Sequence, residues 1–552
     1  MALILALVVP VVAAAWLLAA ARRAPVHVAR TVATGASVLT LLLTVLTVVL
    51  RPEVDTRWVP SLGIRWHLGV DGITVPLALL TALLGVAVVV HARGREPGGR
   101  ANRAGDGSGD GLAGRCADTS GDGRHARPVA DSPASYYACL LLVVTGALAT
   151  FFARDAVLFF VAFEVVLIPM WVLISRFGDR QASEATRADA ANRFVLFTVL
   201  GSTLMLLGIL VLVVRSGTSD LAVLAAAHGA GLSPGTQLLV AVLLVVGLGI
   251  KVPLWPAHTW LPPAHTIAPT AGSVLLAAVL LKMGTYGIVR LAVPTVPEGF
   301  RMVAPFLAAS GAVGIIWGGL ACLVERDLKR LVAYSSVAHM GFVALGLASG
   351  TQTGLQAALF GNIAHGVVSA LLFFVVGGLK DRWGGADLTA ARDALRDVSP
   401  RMGFALVVGL ASALGLPGLI GFWGEFLAVY AAWNPAAGLP TGLLRACAVA
   451  GVVGMTLAAG YALRVLRLVW SGHANWTGPA VGESVAGGRR GDARGAEMAV
   501  LLALVVLVIG LGVVPNPLLG LTEPAADMLV TRSTPATTPP PGAGGTIVEA
   551  GR

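Results

Sequence analysis

Apolar runs of 18 or more residues recur along almost the whole of this 552-residue chain. A run of that length is what an α-helix needs to cross the roughly 30 Å hydrocarbon core of a bilayer. Only helices and closed barrels satisfy all their backbone hydrogen bonds in lipid, so the pattern predicts an all-α integral membrane fold. The chain is 12% charged, against roughly 25% for soluble domains, too little to cover a water-facing surface. About fourteen spans are expected, at 2–21, 29–50, 70–92, 135–153, 155–175, 193–214, 236–254, 268–291, 303–324, 328–348, 354–379, 402–432, 442–470 and 497–514. The first run has no basic segment before it and a second run directly after it, so it reads as a span and not a cleaved leader.

Lysine and arginine set the orientation. The loops after the odd-numbered spans hold 27 of them, the opposite side with both tails holds 10, and two lie inside helices. The first set is therefore expected in the cytoplasm and both termini outside it. The same bias accounts for the net charge of +10 without nucleic acid, since no basic stripe with interleaved aromatics occurs. Residues 93–134 (Gly/Arg/Asp-rich) and 531–552 (Pro/Thr/Gly-rich) are expected to be disordered, because neither has enough apolar surface to offset ordering entropy. GDGSGDG within the first lacks the full ligand spacing and closing Glu of a calcium loop. The four cysteines, Cys116, Cys139, Cys322 and Cys447, lie far apart and suggest neither zinc nor an iron–sulfur cluster.

Four charged residues stand where charge is expensive. A charge at the bilayer centre costs about 2.5–3.5 kcal/mol on the most lenient scale. Glu164 lies mid-span in FFVAFEVVLIPMW, and Lys282 lies deep in SVLLAAVLLKMGTYGIV. Lys251 ends an apolar run and precedes Pro253 and Pro256, while Glu425 follows a stretch interrupted by Pro417 and its flanking glycines. Proline removes helix hydrogen bonds, and broken helices with a charge at the break form ion sites in transporters. Taken singly, Lys251 also admits a reading as a snorkelling side chain, or with Glu164 as a structural ion pair; together the four define a charged axis. His339 has Ser335 one turn away, and His365 has Asn362 and Ser369 at helical spacing. A lone histidine in an apolar helix is usually a hydrogen-bonded core residue, but two with polar neighbours suit a hydrated proton relay. His258 and His265 fall in the 7–8 connection and read as interfacial. The recurrence of a broken, charge-bearing span at 251 and at 417–425 points to two inverted five-helix repeats, spans 4–8 and 9–13, with helices 7 and 12 broken. The resulting division is three N-terminal helices (1–92), the 93–134 loop, repeats at 135–292 and 303–470, a 471–496 loop, a last membrane helix (497–530) and the 531–552 tail. No phosphate loop or nucleophile triad is present, so covalent catalysis by this chain is not expected.

The stretch KVPLWPAHTWLPPAHTIAPTAGSVLLAAVLLKMGTYGIVR (251–290) resembles the signature of the antiporter-like membrane subunits of proton-pumping NADH:quinone oxidoreductase, respiratory complex I. DLKRLVAYSSVAHMGF, HGVVSALLFFVVG, LGLPGLIGFWGEF and VVPNPLLGLTEPA agree with it, and glutamate at 425 resembles the M type. The resemblance implies that Glu164 and Lys251 form a modulating pair, Lys282 the central relay, His339 and His365 the connection, and Glu425 the terminal site toward the outside. It also implies a bacterial-type inner membrane, L-, N- and K-type neighbouring subunits, and no cofactor in this chain, with NADH, FMN, iron–sulfur clusters and quinone in partner subunits. Pro263 and Ile267 depart from the family pattern at the cytoplasmic rim. The alternatives are a subunit of a multi-subunit sodium/proton antiporter or membrane-bound hydrogenase, and a non-pumping membrane scaffold.

Overall fold

Helix starts in this chain are written by short polar residues. Ser132, Ser183 and Ser233 each accept a hydrogen bond from the backbone N–H three residues on, and Pro133 and Pro234 follow two of them at the first helical position. Asp155, Asp327 and Thr351 cap three more helices in the same way. Such caps satisfy donors that the helix itself leaves free, and proline there sacrifices no bond. In the computed structural model residues 1–92 (Arg22, Ser61 and Leu62 apart), 132–472 (Ala391 apart) and 491–531 are described. The expectations for the 93–134 loop, the 531–552 tail and most of the 471–496 loop lie outside these residues.

Among the described residues 13 helices are long and apolar enough to cross a membrane. They include Ala2–Ala19, Val26–Leu50, Pro133–Phe152, Glu184–Ser216, Pro297–Val324 and Thr441–Trp470. The expected twelfth span is divided into Pro400–Ala413 and Ile420–Trp433. Gly415 and Gly418 between them take positive φ angles of 75° and 88°, a conformation glycine adopts without steric penalty, and Pro417 prevents the helix from continuing. The Gly421 N–H, which has lost its helical partner, donates to Ser412 Oγ at 3.1 Å. The seventh span stops at Lys251. The chain then turns through 252–260 and re-forms a short helix, Leu261–Ile267, while Trp260 Nε1 donates to the buried Ile250 carbonyl at 3.0 Å. The fifth span is interrupted at Val166.

Thr270–Ala292 and Gln352–Trp383 are almost wholly surrounded by protein, whereas Ala2–Ala19 and Val26–Leu50 are mostly turned outward. Glycine lets the inner helices touch. A Cβ on Gly201 would meet the Gly247 carbonyl oxygen at 2.6 Å, and one on Gly247 would meet that of Gly201 at 2.5 Å, the small-residue contact typical of membrane helix pairs. One element was not foreseen. Val54–Val59 and Ile64–Leu68 form an antiparallel hairpin with Val54 opposite Leu68. It covers the end of the bundle where the second span turns into Thr74–His91.

Candidate functional site: a buried polar axis

The break after residue 251 leaves Lys251 as the last helical residue, 2% exposed. Its Nζ lies 5.1 Å from the centroid of the Phe163 ring and 5.4 Å from that of Phe194, contacts worth about 0.5–2 kcal/mol each. Among the described residues it has no ion-pair partner. Glu164, next to Phe163 on Ala156–Val165, is the carboxylate that acts on it electrostatically. The two are electrostatic neighbours that do not form an ion pair.

Lys282 lies in the eighth span, whose winding loosens to π-helix at Leu276–Leu280 and Ile288–Ala292, a feature frequent at functional positions. It is wholly buried. Its Nζ donates to the Ala277 carbonyl at 2.7 Å and is hydrogen-bonded to Nδ1 of His365. The His365 ring lies 5.6 Å, centroid to centroid, from that of His339, and His339 Nδ1 lies 2.7 Å from Glu425 Oε1. Four residues from the eighth, tenth, eleventh and twelfth spans thus form one contiguous series. His339, His365, Gly361, Ser412, Gly424 and Glu425 line a cavity of about 30 Å³ between the rings and the carboxylate. A water needs about 10–15 Å³ measured in this way. Closure depends on glycine, since a Cβ on Gly424 would meet the Gly361 Cα at 2.7 Å. His339 Nε2, Glu425 Oε2 and Asn362 Nδ2 are buried without a protein partner. Each such atom costs about 1–3 kcal/mol if left dry, so the series is built to hold water. Tautomers are left open by heavy-atom geometry, and a neutral imidazole donates through one nitrogen while accepting through the other.

The neighbours expected to extend this series behave differently. Ser335 and Ser369 bond to carbonyls of their own helices, Val332 and Gly366, and do not bridge. Asn362 does join, its Oδ1 accepting from Thr285 Oγ1 at 2.8 Å. His265 is not interfacial, because the chain folds back after Lys251. The ring is wholly buried, stacked 4.6 Å from that of Phe373, with neither nitrogen partnered. Lys329, in the first turn of the tenth span and not singled out in the sequence, is 4% exposed and donates to the Ala268 carbonyl. It lines a cleft of about 340 Å³ with Asp179, Lys380, Asp381, His91 and Thr270. Burial works against ionisation of Asp179, yet its bond to Lys380 and the charges of Lys380 and Lys329 hold its carboxyl below the usual range.

At the opposite end of the bundle, under the hairpin, Asp71 is clasped by two arginines. Arg154 reaches Asp71 Oδ2 at 2.9 Å, and Arg290 bonds to Oδ1. Burial disfavours this carboxylate's charge, but Arg290 and Arg154 outweigh that and keep it far below the ordinary range. Arg290 stacks 5.2 Å from the Tyr286 ring centroid, and the Tyr286 hydroxyl donates to the Phe151 carbonyl at 2.8 Å. These residues are drawn from distant parts of the chain, and no local spacing announces them.

The profile of a family described as "NADH:quinone oxidoreductase/Mrp antiporter, TM" matches residues 153–449. The chain is 35% identical over 463 residues to NAD(P)H-quinone oxidoreductase chain 4 1 of Synechococcus sp. (strain JA-3-3Ab), covering 83% of this chain and 78% of that one. It is 32% identical to NADH-quinone oxidoreductase subunit M of Rhodobacter capsulatus, covering 86% and 84%. A chain of respiratory complex I from Thermus thermophilus with bound NADH superposes with a TM-score of 0.79 at 27% identity, covering 97% of this chain and all of that one.

Proposed function

Because this chain belongs to the family of membrane subunits shared by NADH:quinone oxidoreductases and Mrp antiporters, we propose that it is an M-type subunit of an NADH:quinone oxidoreductase and moves protons through its buried axis. The observation that carries this reading is the series Lys282, His365, His339, Glu425, hydrogen-bonded at each end and joined in the middle by the contact of the two imidazole rings. An ammonium, two imidazoles and a carboxylate in mutual reach hand a proton along without any group leaving the protein. Lys251 and Glu164 form the first station. Closing the carboxylate onto the ammonium stabilises the proton there, and withdrawing it releases the proton.

In this reading Glu425 faces the outer side, both termini lie outside, and the membrane is a bacterial-type inner membrane. The two inverted repeats, spans 4–8 and 9–13, are supported by the matched breaks at Lys251 and Pro417. L-, N- and K-type subunits adjoin it. NADH, FMN, iron–sulfur clusters and quinone are held by partner subunits, so redox chemistry occurs there and this chain supplies the proton path. The relatives named above are quinone oxidoreductase subunits, which favours this role over the sodium/proton antiporter and hydrogenase alternatives. A passive scaffold would gain nothing from orphaned acids and bases in its core.

Lys251→Ala and Glu164→Gln are the test. Each is expected to lower NADH-driven pumping and quinone reduction together in a complex that still assembles. Parental activity and an undiminished proton gradient in both variants would refute the reading.

A further inference from the structure

A buried ammonium needs a partner whenever its carboxylate is not on it. Among the described residues the Lys251 Nζ has no hydrogen bond and no ion pair; what it faces are two aromatic rings. Phe163 comes from the fifth span and Phe194 from the sixth, and they are 3% and 0% exposed. Both rings are fixed from behind. The Phe194 ring lies 5.6 Å from that of Trp260, whose Nε1 donates to the carbonyl of Ile250, the residue before the lysine. The Phe163 ring is stacked 5.9 Å from Phe159, and Phe159 in turn 6.2 Å from Tyr286, one turn on from Lys282. The rings are thus held against the break in the seventh span on one side and against the eighth span on the other.

We infer that Phe163 and Phe194 are positioning residues, an aromatic clip that holds the protonated Lys251 while Glu164 is withdrawn, so that the proton stays on Nζ until the next station accepts it. The inference rests on the relay reading above and deepens its first station. The face of an aromatic ring carries partial negative charge that attracts a cation, most strongly where water is excluded. Unlike a carboxylate or an imidazole, a phenyl ring takes no proton, so it steadies the ammonium without competing for what the ammonium carries. Phe163 and Glu164 are adjacent, and adjacent residues on a helix point about 100° apart. One segment therefore presents both partners of Lys251, the ring now in contact and the carboxylate beside it, and its winding is interrupted just beyond them at Val166.

The helix ending at Lys251 packs against the sixth, eighth and ninth spans. On the sixth, the charges lie toward the ends, from Glu184 to Arg193 and at Arg215. On the eighth, Lys282 is bonded to His365, Tyr286 to the Phe151 carbonyl and Arg290 to Asp71. On the ninth, Glu298, Arg301 and Cys322 sit near its two ends. In the connection after Lys251, His258 is turned to Trp317 and His265 to Phe373. None of these acts on Lys251; among the described residues Glu164 is the one charged group that does. The rings and that carboxylate are therefore what sets how firmly the proton is held.

The test uses the assembled oxidoreductase in liposomes, with NADH-driven acidification of the lumen followed across the external pH and quinone reduction assayed in parallel. Phe194 is replaced by para-fluorophenylalanine and by a trifluorinated phenylalanine, which keep the ring and strip negative charge from its face in steps, and by leucine, which removes the ring. A less firmly held proton falls off Lys251 at a lower pH, so the alkaline limb of pumping is expected to move down in that order. Phe194→Leu is expected to move it by about one pH unit, a tenfold change in proton occupancy. A limb at the parental pH in the trifluorinated variant overturns the clip, and so does a shift to higher pH in any variant. A shift in Phe194→Leu with none in the fluorinated pair makes the ring a spacer and overturns it equally. If Phe194→Leu does not assemble, the fluorinated pair, which preserves the packing, decides alone. The relay reading fails separately, by parental pumping in Lys251→Ala, whatever the limb does in chains that keep the lysine.

Discussion

His339 Nδ1 and Glu425 Oε1 lie 2.7 Å apart, while the far atoms of the same two groups, Nε2 and Oε2, face the interior without protein partners. An imidazole held at one nitrogen and free at the other accepts a proton on one side and passes it from the other. A carboxylate with one free oxygen completes the transfer. Glu425→Gln keeps the shape and the hydrogen bond but cannot ionise. Proton pumping is expected to fall about tenfold or more, with assembly intact on native gels, and Glu425→Asp is expected to retain part of it. Parental pumping in Glu425→Gln would remove Glu425 from the path.

Lys282 separates charge from proton transfer. Its Nζ sits between the Ala277 carbonyl and His365 Nδ1, and a relay needs that nitrogen in both protonation states. Lys282→Arg preserves the positive charge but abolishes deprotonation. If the residue only neutralises or orients its surroundings, Lys282→Arg should pump better than Lys282→Met. If it relays, both are expected to be equally inactive in NADH-driven acidification of vesicles. A pumping Lys282→Arg complex would eliminate the relay role.

The stations of this axis were legible because hydrocarbon makes each of them expensive. Glu164, Lys251, Lys282 and Glu425 are conspicuous in apolar runs because an ionisable group is costly and rare there. The breaks at Pro253 and Pro417 were legible because proline has no N–H to donate. Contact between His339 and His365 was not, since it depends on how the tenth and eleventh spans pack. The serines chosen as their partners took a competing option open to any helical hydroxyl, a bond to the preceding turn. His265 was misjudged because a Pro-rich connection looks like a surface loop until the chain folds back across it. Arg290 and Asp71, 219 residues apart, appeared as ordinary charges at the ends of spans. The hairpin at 54–68 was hidden because it is too short for a periodic pattern to stand out between two long helices.

Arg382 and Glu497 tie the last span to the eleventh. Their side chains are 6% and 5% exposed and joined by two bonds, of 3.1 and 2.9 Å, while Arg382 also donates to the Gly491 and Gly378 carbonyls. Removing one member of such a pair leaves an uncompensated buried charge, at a cost of about 3–5 kcal/mol. Glu497→Ala is expected to lower the thermal midpoint of the detergent-solubilised complex and to loosen the 491–513 segment, without touching the polar axis. An unchanged midpoint would show that the guanidinium finds water or another carboxylate in its place.

His67 adds a pH dependence at the hairpin that covers Asp71, Arg154 and Arg290. Its Nδ1 is 2.7 Å from Asp220 and its Nε2 is 2.7 Å from Glu53. Burial opposes protonation of the ring, but the hydrogen bonds to Glu53 and Asp220 outweigh it, so the folded pKa is raised above the ordinary 6.5. A group whose pKa is raised by folding contributes stability that is complete below its unfolded value and fades as the pH climbs through the folded one. The hairpin should therefore be held most firmly below about pH 6.5 and loosen as the solution becomes alkaline. Amide exchange over residues 54–68, corrected for the intrinsic pH effect, is expected to show protection falling across that interval in the parent. In His67→Gln, which keeps a hydrogen-bonding side chain but cannot take the charge, the profile is expected to be flat. The same decline in both proteins would mean that another group sets the pH response, and His67 would then be only a spacer between Glu53 and Asp220.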